Sequence, residues 1–353
     1  MSSLFRFVLP GLSLLLSAHA ADIKVACVGN SITAGYGLAW HEDYPTKLDS
    51  ILGDGWATTN YGNSGKTMVR GSDDSYWKQP QLPAALAAVP DVVVIELGTN
   101  DSKSYIWPAY GKNFKADYRA MIDTFRVLAS KPSVWITLQP RANNLSWDMP
   151  DTTIARQVNP LIRQVALEAA VNLIDLRAGF AGHPEWYLDD SVHPNALGAI
   201  RMAALIAERL KHDRPVVAAR GVRGPSVETS ADGWGVQWYR NDSLLAGETG
   251  EDLKSTLPGV YKASVKIYQN SEDRIVSAPF TWAGSTSVVP RTASGFHVRV
   301  DASGRLQVRG IDGAAVDGIR LHDARGTELQ SGFVRSGVYT WALGNARGRI
   351  AVP

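Results

Sequence analysis

Between residue 21 and about residue 212, two hydrophobic spacings alternate along the chain. Short strand-like runs occur at Ile23–Val28, Ala57–Tyr61, Val92–Leu97, Val134–Leu138 and Val171–Ile174. Between them, apolar residues recur at helical spacing. The clearest case puts Phe114, Tyr118, Met121, Ile122, Phe125 and Leu128 on one face. A second helix is expected over 151–170, with a kink or restart at Asn159-Pro160, because proline cannot continue the hydrogen-bond ladder. A last one is expected over 195–211. Apolar strands alternating with amphipathic helices predict an α/β unit whose parallel sheet is covered on both faces.

After Arg214-Pro215 the pattern changes to short strands and frequent turns. The run "VYKASVKIY" alternates cleanly, with Tyr261, Ala263, Val265 and Ile267 on one side. Together "VQWYRND" and "LPGVYKA" resemble an immunoglobulin-like sandwich. The resemblance implies Trp238 as core tryptophan and Tyr261 as corner tyrosine, with Ala263 where the second cysteine usually stands. "GFHVRVDASGRLQVRG" reads as a hairpin opening a last β unit, which resembles the C-terminal sorting domains of secreted bacterial proteins. The expected organisation is 1–20 as a leader, 21–213 as the α/β unit, then two small all-β sandwich-like modules at 226–284 and 295–353.

The leader follows from a single Arg6, the apolar stretch Phe7–Leu16 and small residues at Ala18 and Ala20, the layout of a cleavable signal peptide. Export is therefore expected, to the periplasm, the cell surface or the medium. No segment approaches the ~20 apolar residues that a membrane span needs. The net charge of +2 gives no argument for nucleic acid or an anionic membrane surface. The single cysteine, Cys27, lies in the first apolar run and excludes an intrachain disulfide; it reads as a small buried hydrophobe.

Four stretches carry candidate chemistry. "VGNSITAGYG" ends the first strand with Ser31 in a turn of small residues. "NYGNSGKT" follows the second strand, and "IELGTNDSK" ends the third. "LDDSVHPN" places Asp190 three residues before His193, just ahead of a helix. In a parallel sheet, ligands collect at the carboxyl ends of strands, so one fold brings these blocks together. A serine hydroxyl needs a base within hydrogen-bond reach to act as a nucleophile. Histidine can take that proton and return it, and an aspartate can hold the imidazole tautomer. "NYGNSGKT" ends like a phosphate-binding P-loop, but Asn60 stands where the first glycine belongs, which argues against nucleotide binding. His41-Glu42-Asp43 has no second ligand cluster at a defined spacing, so no metal or cofactor is expected. His183 reads as a loop histidine, and Asp101 and Asp189 as solvated neighbours.

These four blocks, in this order, resemble the SGNH (GDSL-like) hydrolase family over residues 22–211. The resemblance implies a three-layer α/β/α flavodoxin-like fold. It also implies Ser31 as nucleophile, Asp190 and His193 as its triad partners, and Ser31, Gly65 and Asn100 as oxyanion donors. Asn30 departs from the Asp of the family motif, at a position outside the triad. "YWKQP" and "GTNDSKSYIW" add a likeness to secreted bacterial carbohydrate or sialate O-acetylesterases, implying acetylated carbohydrate, such as xylan or sialic acid, as substrate. Trp40, Trp77, Trp107 and Trp147 lie in expected loops, where indole rings can stack on sugar. The alternatives are a lysophospholipase or arylesterase of the same family, and a non-catalytic glycan-binding protein acting through its β modules.

Overall fold

The computed structural model describes residues 22–212, 214–219, 225–228, 234–255, 257–267 and 272–282, and beyond these the strands 296–300, 306–310, 320–322, 337–343 and 346–352. The expected leader lies outside the described residues. Five strands, β1 (Ile23–Gly29), β2 (Trp56–Gly62), β3 (Val92–Glu96), β4 (Ser133–Leu138) and β5 (Asn172–Asp175), form a parallel array in the order β2-β1-β3-β4-β5. This is the doubly wound order, in which β2 is added on one side of β1 and β3, β4 and β5 on the other.

Successive side chains on a strand point to opposite faces, so each apolar run feeds two cores. Ala26, Val28, Val93, Ile95, Val134 and Ile136 pack on one side, against the helix Phe114–Arg126 and the helix Asn159–Ala169. Val25, Cys27, Val92, Val94, Trp135 and Ile174 pack on the other, against the helices Tyr44–Leu52 and Ala196–Lys211. The expected restart at Pro160 is realised: a π-helical turn, Ile154–Val158, precedes Asn159. The fully buried Asn159 side chain spans the backbone of Gln139, accepting from its N–H at 2.8 Å and donating to its C=O at 2.9 Å.

The sequence reading sets 226–284 apart as its own module. The structure instead continues the sheet into it. The following strands are β6 (Val216–Ala219), β7 (Pro225–Glu228), β8 (Trp234–Arg240), β9 (Ser243–Leu244), β10 (Gly259–Lys266), β11 (Arg274–Val276) and β12 (Phe280–Trp282). β11 pairs antiparallel with β5, and the sheet runs on through β10, β8 and β9. An unpaired β5 would leave a row of open backbone groups at the sheet edge, and β11 covers it. Asn172 accepts the Val276 N–H and Asp273 accepts the Asp175 N–H, both at 2.8 Å. Arg209 and Asp273 meet at 3.2 Å with both side chains buried, and Ile267 and Ile275 enter the same core as Cys27 and Ile206. Trp238, Tyr261 and Ala263 share a cluster with Val217 of β6, and the Tyr261 hydroxyl donates to the Leu257 carbonyl at 2.8 Å. Farther along, β13 (Phe296–Val300) and β14 (Leu306–Gly310) pair antiparallel, the expected turn between them lying outside the described residues, and β15 (Arg320–His322), β16 (Gly337–Leu343) and β17 (Ala346–Val352) form a three-stranded antiparallel sheet.

Because Ile275 lies 1% exposed within the α/β core, Ile275→Ala destabilises the whole unit by ~2–5 kcal/mol, the cost of a large-to-small change in a packed interior. Urea unfolding followed on the α/β unit reads it. Midpoints equal to wild type would show that the β-rich segment folds independently.

Candidate active site

Ser31 opens a short helix, Ser31–Ala34, directly after β1. The preceding Asn30 caps it by accepting the Ile32 N–H at 2.8 Å. Only small residues fit this turn. A Cβ on Gly29 would lie 2.0 Å from Thr33 Oγ1, and one on Gly62 would lie 2.2 Å from the Ala34 nitrogen. β2 therefore runs hard against the serine turn, and the loop after it starts beside Ser31. Beneath the turn, Thr33 Oγ1 lies 3.2 Å from the Tyr44 hydroxyl and donates to Glu96 at 3.4 Å. Burial pushes the Glu96 carboxyl well above its ordinary range, against the bond from Thr33.

Ser31, His193 and Asp190 come together. His193 Nε2 lies 2.7 Å from Ser31 Oγ, across 162 positions of sequence, and Nδ1 lies 2.7 Å from Asp190 Oδ2. The other carboxylate oxygen accepts the Val192 and His193 N–H groups at 2.8 and 2.9 Å. Burial alone would raise Asp190. The bonds from His193 and Val192 outweigh it and hold the carboxyl below its usual range, so it stays anionic. The loop is fixed at both ends, by a Leu188 N–H to His193 C=O bond of 2.8 Å and by Asn144 donating to the Asp190 carbonyl at 3.1 Å.

Gly65 and Asn100 line the same cleft of about 160 Å³ as Ser31 and His193. Gly65 has φ +81°, which an L residue adopts only with strain, and the place of its missing Cβ is open space. Asn100 is 4% exposed and donates one Nδ2 hydrogen to the Lys66 carbonyl at 3.1 Å; its second amide hydrogen is free to meet a ligand. The Gly65 loop and the Asn100 turn are further tied by Asp101, which the sequence reading placed in solvent. The structure corrects this. Asp101 is fully buried and accepts the Met68 and Val69 N–H groups at 2.9 and 3.0 Å. Nothing in the spacing around "TND" marks it; the only available signal is a charge immediately after the candidate oxyanion asparagine.

Of the four tryptophans expected in loops, Trp107 instead opens a short helix, Trp107–Tyr110, and Trp77 and Trp147 lie in single 3-10 turns; only Trp147 lines the cleft, joined by Tyr36, Lys103, Met149 and Val192. Tyr36 lies tilted over the His193 ring at 4.4 Å between centroids, and Trp147 meets it edge-on at 5.6 Å. Trp40 is 86% exposed, Trp77 lies under Arg70, and Trp107 donates to Gln157. His183 stacks on Trp186 at 3.8 Å and pairs with Glu185, as a loop histidine. Cys27 is buried, and its thiol is pushed up by burial. Among the described residues, no group of three His, Cys, Asp or Glu side chains is placed to hold a metal.

With this geometry in hand, the chain can be set beside known proteins. Residues 27–201 match the model of the GDSL-like Lipase/Acylhydrolase family. The α/β unit of this chain belongs to that family. An acetylxylan esterase of Xylanibacter ruminicola is 36% identical over 208 residues, covering 54% of this chain and 43% of that protein. The chain thus spans less than half the length of that relative. An arylesterase of Vibrio mimicus is 28% identical over 208 residues, covering 56% of this chain and 94% of that protein. A solved carbohydrate acetylesterase from Sinorhizobium meliloti is 20% identical, with a TM-score of 0.46, covering 54% of this chain and 98% of that one.

Asp101 gives a pH signature. Burial raises its carboxyl to about 7, against the pull of the Met68 and Val69 N–H groups, whereas an unfolded aspartate titrates near ~3.9. Between those values the folded chain holds a proton that the unfolded chain has lost. This contribution to stability is full below the unfolded value and disappears as pH rises through about 7. The Tm of wild type minus that of Asp101→Asn should therefore widen as pH falls from ~8 to ~5. A constant difference would show that Asp101 keeps an ordinary titration.

Proposed function

We propose that this chain is an exported serine esterase that removes acetyl groups from carbohydrate. The observation that carries the chemistry is the Ser31–His193–Asp190 chain, with 2.7 Å at each link to the imidazole. Ser31 Oγ attacks the ester carbonyl carbon while His193 Nε2 takes its proton. The carbonyl π electrons move to oxygen, and that oxyanion is met by the Ser31 and Gly65 N–H groups and the Asn100 amide. Collapse breaks the bond to the sugar oxygen, which leaves with the proton from His193. Water then repeats the attack on the acyl-serine, and acetate and free serine result. Asp190, anionic and hydrogen-bonded, stabilises the imidazolium in both halves.

Three observations support the acetyl and carbohydrate parts of the reading. The cleft is small, about 160 Å³, with Met149 and Val192 among its walls, which suits a short acyl group. Tyr36 and Trp147 are exposed aromatic rings beside His193, suited to contact with a pyranose leaving group. The acetylxylan esterase relative is 36% identical in the matched region. The arylesterase relative favours a second reading, hydrolysis of aryl or longer acyl esters at the same site.

The test is a substrate panel: acetylated xylan, acetylated sialic acid, and 4-nitrophenyl esters of graded chain length. Ser31→Ala should lower kcat by at least ~10³-fold on every ester turned over, and Asn100→Ala by ~10²–10³-fold with a smaller change in KM. Wild-type rates in Ser31→Ala would end the esterase reading. A preference for acyl chains of ~8 carbons or more would replace acetyl removal with the second reading.

A further inference from the structure

The largest concentration of unbalanced charge among the described cavities lies away from Ser31. A pocket of about 420 Å³ opens at the beginnings of β4 and β5, around Ser133 and Asn172, the rim opposite the serine cleft. Its other walls come from the β-rich segment, through Asp242, Lys262 and the stretch after β11. The pocket exists because β11 docks on β5; neither part builds it alone.

Four cationic side chains line it, Arg126, Lys131, Arg214 and Lys262, against one carboxylate, Asp242. The excess of three positive charges contrasts with a net charge of +2 for the entire chain. Asp242 is already taken by Lys262 at 2.7 Å. Arg126 is turned to the carbonyls that end the helix Asn159–Ala169, with Asp123 at 3.7 Å. Arg214 donates to the Ser133 hydroxyl at 2.8 Å and has no carboxylate partner among the described residues, and neither has Lys131. Burial and the nearby Arg119 pull the Arg126 guanidinium below its ordinary value. Lys262 chiefly, with Arg126 and Arg119 beyond it, holds the Asp242 carboxyl below the usual range. Cations gathered in a concave surface repel one another, and a bound anion relieves that repulsion.

We propose that this seam pocket binds a small organic molecule bearing a carboxylate or phosphate group. Guanidinium forks match the geometry of both oxyanions, and a lysine supplies a mobile point charge beside them. The volume falls within the ~300–1,000 Å³ typical of small-molecule sites, more than a bare ion fills. Ser133 and the Asn172 side chain add polar floor, and Val134, Val171 and Pro279 add apolar wall, a mixture suited to an acidic sugar. Uronic acids and sugar phosphates are the two sources of that chemistry.

The proposal does not rest on the esterase reading, because its readout is binding. The full chain is titrated calorimetrically at ~20 mM ionic strength with glucuronate, glucose 1-phosphate and neutral glucose. At least one acidic probe should bind with a Kd of ~1 mM or tighter, and glucose should not. Whichever probe binds assigns the group as carboxylate or phosphate. The double variant Lys131→Gln, Arg214→Gln changes two exposed side chains and should fold as wild type. It should weaken binding at least ~10-fold, as should ~0.5 M salt in the wild type. Its turnover of a small soluble ester should match wild type, since the pocket lies at the opposite rim. Failure of both acidic probes, or equal binding by the double variant, would overturn the site. A loss of ester turnover in that variant would overturn its separation from the serine cleft.

Discussion

The site depends on how closely β2 approaches the turn that carries Ser31. Gly62 packs where any Cβ would stand 2.2 Å from the Ala34 nitrogen, and a Cβ on Gly29 would stand 2.0 Å from Thr33 Oγ1. That approach aims the Ser31 hydroxyl out of the sheet rim and brings the Gly65 backbone to the same cleft. Asp101 then ties this loop to the turn after β3, by taking two N–H groups that have no strand to pair with. The imidazole arrives from beyond β5, on a loop whose own aspartate accepts two of its backbone N–H groups. The His193 ring is held by the Asp190 carboxylate with Tyr36 and Trp147 against it, and the Asn100 amide by the Lys66 carbonyl, so the arrangement is in place before any ligand binds.

Most of this scaffold is legible in the sequence because it is periodic. Strand-like runs of four to six residues separated by helical stripes have few solutions besides a covered parallel sheet, and the strand windows agree with the structure within a few residues. The candidate site is legible for a different reason. Its residues are bound to short blocks with fixed internal spacing, such as Asp190 three before His193, that survive without any knowledge of contacts. Asp101 was misread because one buried charge in a loop has neither periodicity nor spacing. Its burial is decided by Met68 and Val69, more than thirty residues away. The tryptophans show the same limit: composition placed four of them in loops, and only the path of the chain around Trp147 sets one against His193.

The boundary after the α/β unit is the other place where local pattern misleads. Residues 226–284 read as a free-standing β module, and the internal alternation of β10 is correctly read. Nothing in that alternation reveals that β11 pairs with β5, since the register involves the single pair Arg274 and Leu173. The join is secured instead by side chains that look unremarkable alone: Asn172 and Asp273 accept backbone N–H groups across it, and Ile275 fills a core begun by helices.

This join gives the two ends of the sheet different characters. At the carboxyl ends, loops supply N–H donors and a serine to a small cleft edged by aromatic rings. At the opposite ends, strand starts and the β-rich segment gather cations around a larger pocket. A parallel sheet encourages that division, because its loops separate into two sets about one strand length apart, too far for a contact in one set to constrain the other. The serine cleft and the proposed cation pocket can therefore be altered independently, and of the two only the pocket takes walls from the segment that covers β5. The burial of Arg209 against Asp273 lies between them, and it fixes the β-rich segment at one position on the edge. A charged pair is costly to bury unless its geometry is specific, so this contact selects one docking register over nearby ones that hydrophobic contact alone would tolerate.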